Sequence, residues 1–560
     1  MQSIAQYKRF TNMSNTFLKI HPDDNVLVAL ADLPAGTEIR YNGTTFSLTQ
    51  DVPAKHKFVI DDMEPNSSII MYGILVGKAV NTIPKGSAIS TQNVKHEASS
   101  FGEGKTIFEW KAPDISRWKN RTFNGYHRAD GQVGTANHWL VVPLVFCENR
   151  NINVLKNAFE EALGFRKQDS YKKYVQQLVS LYQQGDLNGI ASTQPGTPAS
   201  EKGERIFKNI DGIKFLTHEG GCGGTRQDSE ALCALIAGYI KNPNVAGATV
   251  LSLGCQNAQA DILRQKLDAI QFNASKPVII LEQQKEGTEQ EMLVRAIRET
   301  MLGMIEADKE ERKPAPLSKL VVGLECGGSD GFSGISANPA VGHASDLIAA
   351  LGGISVLSEF PELCGVEQEL INRCTNDGIA NRFISLMRAY AKAAVNAGSG
   401  FDMNPSPGNI KDGLITDAMK SAGAAKKGGT SPVTDVLDYG EYVKNPGLNL
   451  LCTPGNDVES TTAMAGSGAN VILFTTGLGT PTGNPITPVI KISSNTKLAQ
   501  RMPDIIDVDC GGVISGEKTI EQCGEEILEY IIAVASGETI PKAVQLHQDD
   551  FIPWKRGVSL

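Results

Sequence analysis

The feature that most constrains the fold is a repeated order of elements after residue 139, where short apolar runs alternate with helical patterns. LVVPLVFC is followed by NVLKNAFEEALGF, and ATVLSLGCQN and KPVIILEQQ are each followed by a segment of helical spacing. A continuous apolar run of this length is typical of a strand buried on both faces. Strands that alternate with helices form βα units. The sequence therefore predicts an α/β protein with mainly parallel sheets.

The N-terminal part of the chain has a different style. Residues 17–97 consist of short β-branched runs broken by Pro, Gly and Asn, which predicts a small all-β module. Residues 98–120 mix Gly, Ser, Pro and charge without periodicity, as a linker does. Beyond it we expect two α/β domains, at 121–315 and 316–560. Residues 1–16 are a tail in this division, and the polar segment at about 168–205 is a surface insertion.

Composition excludes several function classes. The chain has 560 residues and a formal net charge of -9, from 53 Lys plus Arg and 62 Asp plus Glu, with no long run of one sign. Nucleic acid and anionic membranes are therefore not expected partners. No window approaches the roughly 20 apolar residues that span a bilayer, and the first residues lack the apolar core of a signal peptide. We expect a soluble, cytoplasmic protein.

Ten cysteines are scattered along the chain without a CxxC pair. Reduced thiols are expected, and structural zinc and thioredoxin-like redox chemistry have little support. Apolar strands nevertheless end in Gly-flanked polar or sulfur residues at three places, which bear His218 with Cys222, Cys255, and Cys326. Ligands of open α/β sheets bind beyond such strand ends.

These four residues are candidate ligands of one divalent metal such as Fe(II), because His218 and Cys222 are only four positions apart and the strand ends could share one cleft. The alternative is a hydrogen-bonded loop histidine beside small buried cysteines.

The stretch CGGSDGFSGISANP is the densest in groups that recognise a small molecule. Ser329, Asp330, Ser333 and Asn338 offer hydroxyl, carboxylate and amide groups from a glycine-rich backbone. This composition favours a polyhydroxylated or carboxylated ligand. The stretch lacks the P-loop ending, and the chain has neither a Rossmann GxGxxG in the expected place nor a GxSxG elbow.

Two later segments have a similar composition. They contribute Asn409, from NPSPGN, and Thr475 with Thr476, from TTGLGTPTGN, as candidate binding residues. Either segment could equally be a turn-rich connection.

In the β module, the polar islands contain His21 with Asn25, and His56 between Lys55 and Lys57. The two lysines disfavour the cationic form of His56, which favours a neutral base or ligand near pH 7. A solvated loop histidine is the alternative.

Taken together and in order, these motifs resemble the altronate/galactarate dehydratase family, whose N-terminal piece is a SAF domain. The matching text includes IHPDDNVLVALADLPAG, PAKHK, FNGYHRADGQVGTAN, THEGGCGG, LGCQN, GLECGGSDGFSGISANP, LSEFPELCG, NPSPGN and TPGNDVESTTAMAGSGANVILFTTG. The resemblance covers residues 17 to 554, and the single-chain layout is most similar to the altronate-acting members. It implies a hydro-lyase that converts D-altronate to 2-dehydro-3-deoxy-D-gluconate and water in hexuronate (galacturonate) breakdown, with Fe(II) or Mn(II).

The chain departs from the family pattern at three places. Ala136 and Leu478 stand where the family usually has arginines, and Ile89-Ser-Thr-Gln-Asn93 replaces a common His-x-His pair. Arginine is the natural bidentate partner of a carboxylate, so the substrate's acid group requires another cation or the metal. Three alternatives follow: a galactarate or other sugar-acid dehydratase, a lyase that eliminates another group such as sulfite, and a sugar-acid binding protein without catalysis.

The reaction that the resemblance implies assigns roles to these residues. Removal of the proton next to the carboxylate and expulsion of the β hydroxyl require a Lewis acid, a base and an acid. We expect His218, Cys222, Cys255 and Cys326 near the metal, and His56 or His21 as the acid or base, with His218 and Asp330 as further catalytic candidates. The substrate-binding candidates are Asn25, Lys57, Ser329, Ser333, Asn338, Asn409, Thr475 and Thr476. The expected partner is a small sugar acid, and a homo-oligomer is left open.

Overall fold

The structure is a computed structural model that describes residues 16–102, 104–165, 170–195, 205–272 and 275–559. The predicted tail at 1–16 lies outside these ranges except for its last residue. The predicted insertion at 168–205 is described only over 170–195 and at its last residue; there it forms two helices with exposed surfaces.

The N-terminal module is built only of short strands, as the sequence predicts. They form one sheet in the order β1-β2-β5, a β3-β4 hairpin and a third sheet in the order β6-β7-β8. The strands are β1 Phe17–Leu18, β2 Val26–Ala29, β3 Glu38–Tyr41, β4 Thr44–Ser47, β5 Lys57–Val59, β6 Ser68–Met71, β7 Ile74–Ala79 and β8 Val94–Lys95.

The predicted linker at 98–120 runs along the C-terminal domain and is held there by hydrogen bonds. The Trp110 indole donates to Thr430, and the Trp118 indole donates to Glu529 at 2.9 Å. A small antiparallel sheet follows, in which β9 Thr122–His127 pairs with β10 Val133–Gly134 and with β15 Lys313–Pro316.

The second domain contains a parallel four-stranded sheet in the order β12-β11-β13-β14. Its strands are β11 His138–Pro143, β12 Gly212–Phe215, β13 Val245–Ser252 and β14 Val278–Glu282. Every residue of β11 and β13 is buried, which explains the continuous apolar runs in the sequence.

The C-terminal domain contains a parallel seven-stranded sheet in the order β18-β19-β17-β16-β20-β21-β22. Its strands are β16 Val321–Cys326, β17 Ile354–Leu357, β18 Val433–Leu437, β19 Gly447–Leu451, β20 Val471–Thr476, β21 Val489–Ser493 and β22 Val508–Asp509. The two parallel sheets confirm the predicted fold class.

Helices connect and cover the strands of both sheets. They are α1 Asn149–Ala162, α2 Ser170–Gln183, α3 Leu187–Ser192, α4 Arg226–Lys241, α5 Ala260–Ala269, α6 Gln283–Glu286, α7 Glu289–Ala307, α8 Ala337–Ala350, α9 Glu367–Arg373, α10 Asp377–Asn396, α11 Pro407–Lys411, α12 Asp417–Ala424, α13 Asp457–Gly466, α14 Thr496–Arg501, α15 Gly512–Ser515, α16 Ile520–Ala535 and α17 Lys542–Gln545.

Buried hydrophobic clusters continue from one domain into the next. One buried cluster joins Met71 and Val76 of the β module to Met419 of α12. Another joins Leu235 of α4 to Met464 of α13. Burial of such continuous apolar surface fixes the domains against one another. Among the described helices, none is both long enough and apolar enough to span a bilayer.

Candidate active site at the carboxyl edge of the seven-stranded sheet

The strand order of the large sheet creates a crevice beside β16. The chain leaves β16 for β17 on one side and later returns to β20 on the other, so β16 and β20 are neighbours whose connections diverge. Ligands of open α/β sheets bind at such a switch point, outside the carboxyl ends of the strands. The residues that follow β16, β17 and β20 are therefore the candidate ligand-binding and catalytic residues of this sheet.

The turn after β16 requires glycine. A Cβ added at Gly327 would lie 2.0 Å from Oδ2 of Asp457, and Gly328 has a φ of +60°. Asp457 is the first residue of α13, whose N-terminus is capped by Asn456. The glycines thus let the carboxylate of Asp457 lie directly on the turn that follows Cys326.

A buried cluster of charged groups and a thiol lies behind this turn. Nζ of Lys427 lies 2.7 Å from Sγ of Cys326 and 3.5 Å from a carboxylate oxygen of Glu359. The Cys326 thiol donates to Glu362 at 3.3 Å, and Nζ of Lys420 lies 2.5 Å from the other oxygen of Glu362. All five side chains are at most 10% exposed, so water screens their charges weakly.

This environment separates the pKa values of the two glutamates. Burial, together with the charges of Glu325 and Glu362, raises the pKa of Glu359 well above its usual value. Burial also acts to raise the pKa of Glu362, but Lys420 and Lys427 outweigh it and leave the pKa lowered. The environment therefore favours the protonated form of Glu359 and the ionised form of Glu362, the combination that acid–base catalysis needs.

The two lysines remain cationic. Burial alone would lower the pKa of each amine, but the Glu362 carboxylate acts on both lysines and raises the pKa of each above the usual lysine range. Burial raises the pKa of the Cys326 thiol to about 12, so the sulfur keeps its proton. The cluster therefore holds two fixed positive charges for an anion.

A second group of polar residues continues the cluster along the same edge. Ser460 and Ser358 both donate to Glu325, whose pKa burial raises to about 7. Lys491 lies above the Phe474 ring, with Nζ 3.3 Å from the ring centroid, and burial lowers the pKa of Lys491 to about 7. Its Nζ is buried and has no hydrogen-bond partner among the described residues.

The exposed Gly455 lies beside the cluster. A Cβ added there would lie 3.6 Å from Asn404 and 3.8 Å from Glu362. Asn404 accepts a hydrogen bond from Lys420 at 3.0 Å.

Two groups of potential metal ligands lie in this cluster. The ligand atoms of Cys326, Glu359 and Glu362 lie within 4.8 Å of one another, as do those of Glu325, Glu359 and Asp457. In the first group, however, Lys427 contacts both Cys326 and Glu359, so a cation already occupies the space between the donors. This first group therefore does not fit a divalent ion while Lys427 occupies that place.

The structure places Asp330 in a structural position. One oxygen accepts from the backbone amides of Phe332 and Ser333 and from the hydroxyls of Ser333 and Ser494, and the other lies 3.0 Å from Nζ of Lys55. Because its acceptor positions are filled by the protein, Asp330 holds the glycine turn in shape.

The other predicted binding residues of this domain gather around the same strand ends, but they bind protein groups. Asn338 accepts from Thr475 at 2.6 Å and donates to Gly423, and the Thr476 hydroxyl accepts from two backbone amides. The Asn409 amide donates to the carbonyl of Ser329 at 2.8 Å. Together with Ser333, they build the frame of the crevice.

The predicted residues of the β module lie apart from the cluster. Lys57 is 2% exposed and donates to the carbonyl of Gly413 at 2.7 Å. Burial, reinforced by Lys57 and Lys55, lowers the pKa of His56, the direction that the sequence predicts. His21 lies on the surface of the module beside Asp23.

Asn25, the last predicted binding residue of the β module, bonds the backbone of β6 at Ser68 and Ile70.

The structure does not bring the four predicted metal ligands together. Cys326 ends a strand of the seven-stranded sheet, whereas His218, Cys222 and Cys255 follow strands of the four-stranded sheet. Nε2 of His218 donates to the carbonyl of Pro143 at 2.8 Å, and Nδ1 accepts from the amide of Gly220 at 3.1 Å. Both ring nitrogens are therefore used, and the hydrogen-bonded alternative describes His218 better than the ligand hypothesis.

Sequence reasoning missed the charged residues of the cluster. Glu359 and Glu362 stand in LSEFPELCG directly after β17. The candidates predicted at such strand ends were cysteines and glycine-flanked polar residues, and neither glutamate fits that pattern. Glu359 has a φ of +64°, which is uncommon for a residue with a side chain. Lys420 and Lys427 lie in and after α12, where no local signal separates them from ordinary surface lysines.

Three family models match consecutive parts of the chain. The altronate/galactarate dehydratase SAF domain matches residues 15–97, the second domain of D-galactarate dehydratase/altronate hydrolase matches 125–308, and the C-terminal domain of D-galactarate/altronate dehydratase matches 317–559. The chain belongs to the altronate/galactarate dehydratase family. It is a sugar-acid dehydratase, and the chemistry of this family is that of a hydro-lyase.

Similar proteins span nearly the whole chain. Altronate dehydratase of Bacillus subtilis (strain 168) is 34% identical over 94% of this chain and 96% of its own length. Galactarate dehydratase (L-threo-forming) of Escherichia coli (strain K12) is 32% identical over 93% of each chain. The (2R)-sulfolactate sulfo-lyase subunit beta of Chromohalobacter salexigens is 30% identical over 75% of this dehydratase and 94% of its own length.

Proposed function

We propose that this enzyme is an altronate dehydratase, which converts D-altronate to 2-dehydro-3-deoxy-D-gluconate and water. The observation that carries the proposal is the buried grouping of two glutamates, Glu359 and Glu362, with two lysines at the switch point of the large sheet. The 34% identity to an altronate dehydratase over most of the chain supports altronate as the substrate.

Glu362 is the base in this proposal. Its carboxylate takes the proton from the carbon next to the substrate's acid group. That carbon is only weakly acidic, because removing its proton places a second negative charge beside the carboxylate. Lys420, at 2.5 Å from Glu362, and Lys427 hold the acid group and stabilise this charge. They take the place of the arginines that the chain lacks at Ala136 and Leu478.

Glu359 is the acid. Burial and the neighbouring glutamates raise its pKa and so favour its protonated form, which gives a proton to the departing hydroxyl, and the hydroxyl leaves as water. The enol that remains then ketonises to the 2-keto-3-deoxy acid. General acid–base assistance of each kind is typically worth about 10²- to 10⁴-fold in rate.

We also propose that the reaction depends on Fe(II) or Mn(II). When bound, such an ion would supply Lewis-acid chemistry to a hydroxy acid. Cys222 and Cys255 are exposed and their thiols are free, so they remain available as ligands.

The experiment that tests the proposal is anaerobic incubation of the purified enzyme with Fe(II) and D-altronate, followed by a colour assay for 2-keto-3-deoxy acids. Galactarate and sulfolactate are assayed in parallel, with sulfite as the additional product of the latter. We expect turnover of altronate at least about tenfold faster than that of either competitor.

Other outcomes would assign the alternatives. Faster turnover of galactarate would make this enzyme a galactarate dehydratase, and sulfite release would make it a sulfo-lyase. Altronate binding by calorimetry without any keto acid would favour a binding protein and contradict the proposal.

A further inference from the structure

The carboxyl edge of the four-stranded sheet bears an unusual group of cysteines. Of the ten cysteines, three are exposed, Cys147, Cys222 and Cys255, and the other seven are buried or half-buried. The three exposed cysteines follow β11, β12 and β13, which are three adjacent parallel strands. Adjacent strands lie about 4.8 Å apart, so these loops emerge side by side at one edge.

Hydrogen bonds hold the three loops together. The amide of Phe146 donates to the carbonyl of Gly220 at 3.1 Å, which joins the first loop to the second. The amide of Ala258 donates to the carbonyl of Gly221 at 3.0 Å, which joins the third loop to the second. These bonds join the three loops into one unit. Cys147 and Cys222 each follow a bonded residue directly, and Cys255 lies three positions before Ala258.

Glycine permits the closest of these contacts. A Cβ added at Gly221 would lie 2.1 Å from the carbonyl oxygen of Leu144, and Gly221 has a φ of +96°. The residue before Cys222 therefore packs directly against the segment that leads to Cys147. This fixed approach of two loops brings their cysteines to the same edge.

Each cysteine also precedes a helix that begins at this edge. α1 begins at Asn149, α4 at Arg226 and α5 at Ala260, and each contains at least ten residues. The N-terminus of a helix carries a partial positive charge, which favours thiolates and other anions nearby.

A further group at this edge lacks a partner. Glu148, directly after Cys147, is fully buried, and its Oε2 accepts from Asn151 at 2.8 Å. Its Oε1 is buried without a hydrogen-bond partner among the described residues. A buried polar atom without a partner is uncommon in a folded protein.

We infer that Cys147, Cys222 and Cys255 together bind an iron–sulfur cluster that has one iron without a protein ligand. Thiolates are the protein ligands of such clusters. The three sulfur atoms do not all lie within 4.8 Å of one another. A single ion would require them to lie closer, because metal–sulfur bonds are about 2.3 Å long. In a cluster each thiolate binds a different iron, which spans a wider gap.

In this inference no side chain of the protein binds the remaining iron of the cluster. His218, the nearest candidate in the sequence, uses both ring nitrogens in hydrogen bonds, and Cys326 belongs to the other sheet. Each cysteine loses its thiol proton to solvent when its sulfur binds iron. The open iron is accessible to a hydroxy acid. The choice of iron rests on the proposed function, whereas the three-cysteine site rests on the strand order, the exposure of the cysteines and the hydrogen bonds between the loops.

The test is anaerobic reconstitution of the full-length enzyme with ferrous iron and sulfide, followed by desalting. Iron, acid-labile sulfide and the thiolate-to-iron absorption band are measured, together with electron paramagnetic resonance of the reduced sample. The variants are Cys147→Ser, Cys222→Ser and Cys255→Ser. Cys364→Ser, at a half-buried cysteine elsewhere, is the matched control.

We expect the wild-type enzyme and Cys364→Ser to retain iron and sulfide in equal amounts, and each of the three variants to lose most of both. Unchanged melting temperatures would show that the variants are folded, which is expected because the substituted thiols are exposed. These readouts do not depend on turnover, so a failure of the altronate assay is a separate result.

Three outcomes would overturn the inference. Iron without sulfide would indicate a mononuclear site, and zinc in place of iron after purification from cells would indicate a different metal. Iron and sulfide retained by all three serine variants would show that these cysteines are not the ligands.

Discussion

The two parallel sheets end in the same kind of sequence, an apolar strand followed by glycine and cysteine, but their carboxyl edges differ in burial and charge. At the four-stranded sheet Cys222 and Cys255 are exposed, and His218 is held by backbone groups. At the seven-stranded sheet Cys326 is buried among glutamates and lysines. Similar local sequence therefore leads to different chemistry, because different long-range partners surround each strand end.

The difference has a structural cause. In the smaller sheet, the loops after neighbouring strands mainly bond one another. In the larger sheet, α12 and the segment after it bring Lys420 and Lys427 to the end of β16 from about 100 positions away in the chain. The larger sheet can therefore assemble an acid, a base and two cations, whereas the smaller sheet presents thiols to solvent.

The largest expected effect concerns the proton donor at the larger sheet. Glu359→Gln keeps the size of the side chain but removes its acidic proton. We expect kcat for altronate to fall about 10²- to 10⁴-fold, the usual contribution of a general acid, with a much smaller change in KM. Steady-state kinetics checks this, with Glu306→Gln at an exposed ion pair as the control. A loss smaller than about threefold would remove Glu359 from the reaction.

The second prediction concerns the stability of the same cluster. Lys420→Met leaves the Glu362 carboxylate buried without the cation that lies 2.5 Å from it. Removal of one partner of a buried ion pair typically costs about 3–5 kcal/mol, so we expect a loss of that order in the free energy of unfolding. Urea denaturation measures it. Lys426→Met, at a less buried lysine of the following segment, should cost less than about 1 kcal/mol. Equal losses in both variants would show that the cluster is not a stabilising unit.

The third prediction concerns Lys57, which lies where the β module contacts the C-terminal domain. It compares this interface with the carboxyl edges of the two parallel sheets. Burial lowers the pKa of Lys57 to about 7, so between pH 7.5 and 9.5 the unfolded chain binds a proton that the folded protein does not. Wild-type stability should therefore rise with pH relative to Lys57→Met, by about 1.4 kcal/mol per pH unit. Urea denaturation at several pH values checks this, with the exposed Lys95→Met as the control. Parallel curves for the wild type and Lys57→Met would contradict the lowered pKa.

The smallest expected effect concerns His218 at the four-stranded sheet. His218→Phe keeps an aromatic ring beside Phe551 but removes hydrogen bonds to Pro143 and Gly220. Leaving these buried groups unpaired should cost about 1–3 kcal/mol. We expect this loss in urea denaturation, with the iron content after reconstitution unchanged. Lost iron with unchanged stability would instead make His218 a ligand and weaken the contrast between the two edges.

Much of the fold is readable from local sequence. Apolar runs such as LVVPLVFC identify strands buried on both faces, and the broken β-branched runs of residues 17–97 identify the all-β module. The glycine turn after Cys326 is also readable, and the structure explains it by the close approach of Asp457. These features depend on residues within a few positions of one another, which is why the sequence alone determines them.

The composition of the site was decided by tertiary structure. The sequence identified the strand ends but paired Cys326 with His218, whereas the fold surrounds Cys326 with Glu362 and Lys427. It also marked Asp330 as a catalytic group, whereas Lys55 and neighbouring hydroxyls fill its acceptor positions. Which strand ends share a crevice depends on the strand order, and which carboxyl keeps its proton depends on burial and on charges from distant segments. Neither is encoded in the spacing of nearby residues.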